Sequence, residues 1–332
     1  GSRGRCVAFG DRFTPDYVEA SLIDTCTEPL TDTRLSPPLN RTIPPNAPLP
    51  IVYGAAWSPD GTKVAYVADH DVAGQQDVYV ADVRNGLMGS GVRVSVPNPA
   101  AADVRPDRLT FSPDASKLAY TSNSAAADEG FLYVGDTSVF PIVPDSAQRV
   151  RTDGLFDKPI TELNYSDDSR RLSFAELSSS TSTRTTTWII DTASVSQAVL
   201  VGESPALRTN VQSSPWRRAT QDLLVLQSGD LMVVDTSTLA SLTARMLSAP
   251  NQGQIQAAGF TQSATTAWCV VDSNMTSDVF INDAVQGGMP RRVHLPLPNS
   301  ANLFSVRQVP GQDLLIALGS FGFSMAEPFL VS

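Results

Sequence analysis

Apolar and polar residues alternate in short runs between turn-forming clusters. Lys63-Val-Ala-Tyr-Val67 has the two-residue period of a strand, and Asp77-Val-Tyr-Val-Ala-Asp82 is a β-rich run closed by an aspartate. These runs recur inside a repeated phrase. Trp57-Ser-Pro-Asp-Gly-Thr-Lys-Val-Ala-Tyr66 returns as Phe111-Ser-Pro-Asp-Ala-Ser-Lys-Leu-Ala-Tyr120 and, more loosely, as Tyr165-Ser-Asp-Asp-Ser-Arg-Arg-Leu-Ser-Phe174, at equal spacing. A fixed period of this size marks a repeat architecture. In each copy an aromatic ends one strand, the Ser-Pro-Asp-Gly cluster turns the chain, and an alternating strand leaves. Asp77–Asp82, Phe131–Asp136 and Thr187–Asp191 supply a third strand, and Val92–Val96, Gln148–Arg151 and Ala198–Val201 a fourth. Four strands per period describe a propeller blade.

The rhythm weakens in the second half. Asp222–Leu226 with Asp230–Asp235, Thr266–Val271 with Asp278–Asp283, and Asp313–Ala317 with Phe329–Val331 keep the strand pairs. The turns before them have drifted to Ser214-Pro-Trp-Arg, Thr261-Gln-Ser-Ala and Val309-Pro-Gly-Gln. The fold expected is all-β, a single β-propeller of four-stranded blades, with six blades and seven as the alternative. Residues 1–50 are read as an N-terminal extension and residues 51–332 as the propeller. Thr33-Arg-Leu-Ser-Pro-Pro38 resembles Val92-Arg-Val-Ser-Val-Pro97, so it is expected to close the ring as the outer strand of the last blade, an edge otherwise open to aggregation. The alternative is a proline-rich linker.

The pattern Ser-Pro-Asp-Gly-x-Lys-[Val/Leu]-Ala-[Tyr/Phe], followed by [Val/Leu]-Tyr-Val-x-Asp, resembles the WD-like propeller repeat of the TolB family over about residues 53–193. The resemblance implies a propeller of a type common in bacterial envelope proteins, often an interaction module. It does not extend to the family's N-terminal α/β domain, for which 50 residues leave too little room.

A chain of 332 residues can bury a large core, and its net charge of -10 argues against nucleic-acid binding or a polybasic membrane patch. No apolar run reaches the roughly 20 residues of a membrane span. Gly1-Ser2 has the look of a cloning scar, so a missing leader says nothing about export. Cys6 and Cys26 flank a segment in which Thr14-Pro15-Asp16 reads as a helix start, with Tyr17, Val18 and Leu22 on one face of a short helix. A Cys6–Cys26 disulfide would suit a periplasmic or extracellular setting; free thiols, or a lipid anchor on Cys6, are the alternatives. Cys269 reads as a buried strand residue.

Catalytic signatures are few. The two histidines, His70 and His294, exclude an imidazole-rich metal centre, and no nucleophile elbow, phosphate loop or Cys-x-x-Cys pair is present. Asp69-His70-Asp71 is a weak candidate for calcium, with a capped turn as the alternative; no cofactor is otherwise expected. Asp82, Asp136, Asp191, Asp235 and Asp283, recurring at one place in each repeat, read as turn residues. Long loops at 68–76, 121–130, 176–186 and 319–328 suggest a recognition face. On it, Phe321, Phe323 and Met325 could form an apolar contact patch, and Arg184 lies in a polar serine- and threonine-rich loop. Trp216 and Arg217 are a second candidate contact. The function expected is a noncatalytic, protein- or peptide-binding module of a bacterial envelope or secreted assembly. The alternative is a carbohydrate-active or glycan-binding propeller.

Overall fold

The computed structural model describes residues 7–13, 18–24, 31–35, 52–72, 75–84, 91–96, 108–123, 130–139, 141–150, 160–177, 184–205, 215–227, 230–247, 254–261, 263–273, 276–287, 289–292, 302–308, 315–320 and 327–331. Among them there is no α-helix, and the strands fall into seven sheets, each in sequence order. The first sheet is β1 (Val7–Phe13), β2 (Val18–Asp24) and β3 (Thr31–Arg34). The second is β4 (Val52–Trp57), β5 (Lys63–Val72), β6 (Gln75–Asp82) and β7 (Val92–Arg93). The third is β8 (Thr110–Phe111), β9 (Lys117–Asn123), β10 (Gly130–Asp136) and β11 (Gln148–Arg149). The fourth is β12 (Ile160–Tyr165), β13 (Arg171–Leu177), β14 (Arg184–Asp191) and β15 (Ser194–Pro205). The fifth is β16 (Asp222–Gln227), β17 (Asp230–Asp235) and β18 (Thr243–Met246). The sixth is β19 (Gln254–Phe260), β20 (Thr266–Ser273), β21 (Thr276–Asp283) and β22 (Arg291–Arg292). The seventh is β23 (Asn302–Gln308), β24 (Leu315–Ser320) and β25 (Glu327–Val331).

The chain divides into two compact units, Gly1–Leu163 with Asp191–Ala198 and Asn164–Ile190 with Val199–Ser332. In the first, strand alternation feeds two apolar layers. Ala65, Val67, Val78, Val80 and Val94 pack with Phe111, Leu118 and Tyr120 of the third sheet, while Val64, Tyr66, Ala68, Tyr79 and Ala81 pack with Leu35. The second sheet is therefore buried on both faces, and each fully buried large side chain contributes roughly 1.5–3 kcal/mol. In the second unit Phe260 and Ala267 of the sixth sheet join Leu224, Leu226, Leu231 and Val233 of the fifth.

The repeated turn has a definite construction. In each copy the serine N–H donates to a carbonyl five residues on, at 2.9 Å for Ser58 to Lys63, Ser112 to Lys117 and Ser166 to Arg171. The serine hydroxyl donates to the aspartate two residues on, at 2.6 Å for Asp60, 2.6 Å for Asp114 and 2.7 Å for Asp168. The fourth residue is left-handed, with φ of 68° at Gly61, 56° at Ala115 and 62° at Ser169. The drifted turns keep the same closing bond, Arg217 N–H to Asp222 and Thr261 N–H to Thr266, both 2.9 Å; the left-handed residue is again the fourth, Ala264, in one and the third, Ala219, in the other.

Several expectations are corrected. Val18–Asp24 is a strand, not a helix: β1 pairs antiparallel with β2 from Val7↔Asp24 to Phe13↔Val18. Thr14-Pro15-Asp16 falls between the two strands, and backbone pairing prevails over the local helix-start signal. Of Thr33-Arg-Leu-Ser-Pro-Pro38, expected to close the last sheet, Thr33 and Arg34 belong to β3, which pairs with β2, and residues 36–38 lie outside the described residues. The fifth turn runs from Arg217 to Asp222, so it opens on the last residue of Ser214-Pro-Trp-Arg, three places after its first. The long loop expected at 68–76 is mostly strand, since β5 runs to Val72 and β6 starts at Gln75.

Candidate functional site

A group of charged and polar side chains surrounds Arg93. Its place is set by register: Arg93 faces Tyr79 across β6 and β7. The β5–β6 pairing is irregular between Ala68 and Val72, so Asp69, His70 and Asp71 occupy the distorted end of β5. The Arg93 guanidinium donates from Nη1 to Asp71 at 2.8 Å and from Nε and Nη2 to the two oxygens of Asp145 at 2.8 and 3.2 Å. Asp77 lies 4.0 Å away. The buried Asp77 carboxylate accepts from Ser95 Oγ at 2.7 Å and Gln75 Nε2 at 3.4 Å, while Ser95 Oγ accepts from Val78 N–H at 3.1 Å. Burial raises the Asp77 carboxyl above the ordinary carboxylate range; Ser95 and Arg93 oppose the rise, and the Asp71 charge adds to it. Tyr79 stacks on Tyr66 with centroids 5.5 Å apart, and His70 stands edge-on to both rings. Burial, with Asp71 and Asp77 adding, pushes the Tyr79 phenol up as well.

This arrangement ties the distorted end of β5 and the outer strand β7 to Asp145. Asp71 is engaged by a guanidinium whose charge opposes a cation, Asp69 and His70 are buried, and no group of three His, Cys, Asp or Glu able to hold a metal occurs among the described residues. The calcium candidate Asp69-His70-Asp71 is therefore not assembled.

The other predicted residues are dispersed. Trp216 is buried, not a surface contact: it packs with Ile189, Leu223, Val225 and Val234 and donates Nε1–H to the Asn164 carbonyl at 2.8 Å. A large apolar ring with one donor is best placed where both are satisfied. Arg217 is likewise engaged, with Asp222 Oδ2 at 2.8 Å and the Ala264 carbonyl at 2.6 Å. Arg184 opens β14. Phe321, Phe323, Met325, Cys6 and Cys26 lie outside the described residues. Cys269 is buried and its thiol is pushed up to about 12 by burial. The recurring aspartates accept from the N–H two residues on: Asp82 from Arg84 at 2.8 Å, Asp136 from Ser138 at 2.9 Å, Asp191 from Ala193 at 2.9 Å, Asp235 from Ser237 at 2.9 Å and Asp283 from Val285 at 2.7 Å. They are turn residues.

No protein-family model matches the chain, and no curated protein does. Solved structures do. The chain is similar to Porphyromonas gingivalis dipeptidyl peptidase 4, with a TM-score of 0.56 at 12% identity, over 94% of this chain and 47% of that protein. It is similar to a prolyl endopeptidase, with a TM-score of 0.50 at 15% identity, over 98% of this chain and 46% of that one. It is also similar to prolyl oligopeptidase B from Galerina marginata bound to a 35mer hydrolysis and macrocyclization substrate, with a TM-score of 0.51 at 12% identity, over 85% and 42%. The chain thus spans less than half the length of these peptidases. At such identities the likeness speaks to fold, and it supports a β-propeller. The expectation of a noncatalytic binding module is corrected: the similar solved structures named here are peptidases.

Proposed function

We propose that this chain is the propeller part of a peptide-processing protein, with its seven sheets as seven blades. The observation that carries the reading is its match, over 94% of its own length, to about half of a dipeptidyl peptidase. The interior supports a holding role. Among the described residues the one histidine, His70, is buried against two tyrosine rings, out of reach of a peptide as a general base. Bond cleavage is accordingly assigned outside the described residues, and the rigid sheets present or admit the peptide. The TolB-type repeat is kept as the origin of the first turns.

The test is turnover by the natural protein that carries this chain. Proline-containing peptides, from short chromogenic substrates to the 35-residue size bound by the Galerina marginata enzyme, are incubated with it and the products read by mass spectrometry. Cleavage at defined positions is expected. A protein that leaves every peptide intact while folded contradicts the proposal.

A further inference from the structure

The contact between the second and third sheets is fastened through one side chain. Along the outer edge of β7 the Asp145 N–H donates to the Arg93 carbonyl and the Ala147 N–H to the Val94 carbonyl, each at 3.2 Å. Residues 141–147 belong to the connection between β10 and β11, so the third sheet caps the outer strand of the second. The Arg93 guanidinium seals the cap by donating to both oxygens of Asp145, at 2.8 and 3.2 Å. Asp145 is left-handed there, with φ of 55°, a backbone state that residues with a Cβ adopt reluctantly, so the grip works against a local preference. Beneath it Ile142 and Ala147 complete the apolar layer of Val78, Val80 and Val94.

Arg93 is also drawn from the opposite side. Its Nη1 lies 2.8 Å from Asp71 and 4.0 Å from Asp77. The side chains of Arg93, Asp71 and Asp145 are 24%, 36% and 37% exposed, whereas that of Asp77 is 3% exposed. Three carboxyl groups thus share one guanidinium, and the charge on the buried one decides how that cation is divided, because a charge acts most strongly where water screens it least. The titratable and charged groups around Asp77 are Asp69, His70 and Asp71 at the end of β5, Tyr79 on β6, Arg93 on β7, and Tyr120 and Asp145 of the third sheet. Asp71 opposes a negative charge on Asp77, and Arg93 attracts it.

We propose that the Asp77 carboxyl is a proton switch for the tie between the second and third sheets: protonated, it leaves Arg93 to Asp145, and ionised, it draws the guanidinium inward and loosens the connection at 141–147. Burial favours the neutral acid and sets the direction. The folded-state titration of Asp77 lies above the ordinary value of 3.8, so the tie is closed on the acid side of that titration and slackens as pH rises through it. The device goes beyond the peptidase reading and does not depend on it, because it requires no cleavage.

The experiment follows amide exchange of the full chain, residue by residue, from about pH 4.5 to about pH 8. The Val150 amide, bonded to Leu132 within the third sheet at 2.9 Å, serves as the internal reference that removes the intrinsic pH dependence. Asp145 and Ala147 are expected to exchange roughly two- to fivefold faster relative to Val150 on the alkaline side, the range that a partly exposed ion pair supports. With Asp77→Asn the ratio stays at its acid value throughout, and with Arg93→Gln it stays at its alkaline value. In the unaltered chain the carboxyl carbon resonance of Asp77 titrates with the same midpoint as the exchange ratio, a check that needs no variant to fold. Three results overturn the proposal: a ratio that does not change with pH, a change of equal size in Asp77→Asn, or a midpoint that differs from that of the Asp77 resonance.

Discussion

The turns of the second, third and fourth sheets and those of the fifth and sixth share one closing backbone bond with different side chains. In the first group an aspartate organises the turn: Asp60 Oδ1 accepts from Ser58 Oγ at 2.6 Å and from the Thr62 N–H at 3.0 Å, and Asp168 repeats this with Ser166 and Arg170. In the second group Arg217 and Asp222 form an ion pair across one turn, and hydroxyls of Thr261, Ser263 and Thr265 line the other. The closing bond is 2.9 Å in all five. Sheet pairing thus imposes the closing bond, and side chains adapt to it. A turn can lose its phrase without losing its form.

The largest test asks whether the anchors beside the two kinds of turn bear equal weight. Phe111 precedes a turn of the first group and Trp216 one of the second, and both are buried. Replacing either with alanine is expected to cost about 3–5 kcal/mol in urea unfolding. A small loss at Trp216 alone would make the fifth sheet a loose copy. The next test concerns the left-handed position. Gly61→Ala should destabilise by about 1 kcal/mol, whereas Ala115→Gly and Ala264→Gly should gain up to about 1 kcal/mol, in both kinds of turn. A smaller effect separates them: Asp60→Ala or Asp168→Ala should lose about 0.5–1 kcal/mol, and Ser263→Ala less than about 0.5 kcal/mol.

The dependence on pH sharpens the contrast further. Burial pushes the Asp60 carboxyl up, but bonds from Ser58 and Thr62 outweigh it and hold it below the ordinary value of 3.8; Asp168 is lowered in the same way by Ser166, Gln221 and Arg170. Their contribution is present above that value and is lost as pH falls through the folded-state titration. Asp77, raised by burial, has the opposite sign. Its contribution is present below 3.8 and disappears as pH rises through its folded-state titration. Asp77→Asn should remove that decline on the rising side, and Asp60→Ala part of the acid loss, in thermal unfolding followed across pH.

The strand order of the second to fourth sheets was legible because Ser-Pro-Asp-Gly and the closing aspartates are local chemistry: each residue bonds within two to five positions. The pairs β16–β17 and β20–β21 were legible from alternation alone. The first sheet was missed for a physical reason. Thr14-Pro15-Asp16 satisfies a helix start and a strand connection equally well, and only cross-strand pairing decides. The available signal was Leu22-Ile-Asp24, which closes β2 as Val-Val-Asp235 closes β17. Trp216 was misplaced because burial depends on Asn164 and Ile189, distant in sequence. The charged group at Arg93 was invisible because it joins residues from 71 to 145 through strand register.

Residue-resolved native-state hydrogen exchange tests most directly whether one sheet plan underlies the phrase-bearing region and its flanks. The amides of Thr220 and Ala264 should be protected to the same order as those of Gly61, Ala115 and Ser169, and Gly91, bonded to Leu35, as strongly as Ala147, bonded to Val94. Fast exchange at Thr220, Ala264 and Gly91 beside slow exchange at their counterparts would contradict it.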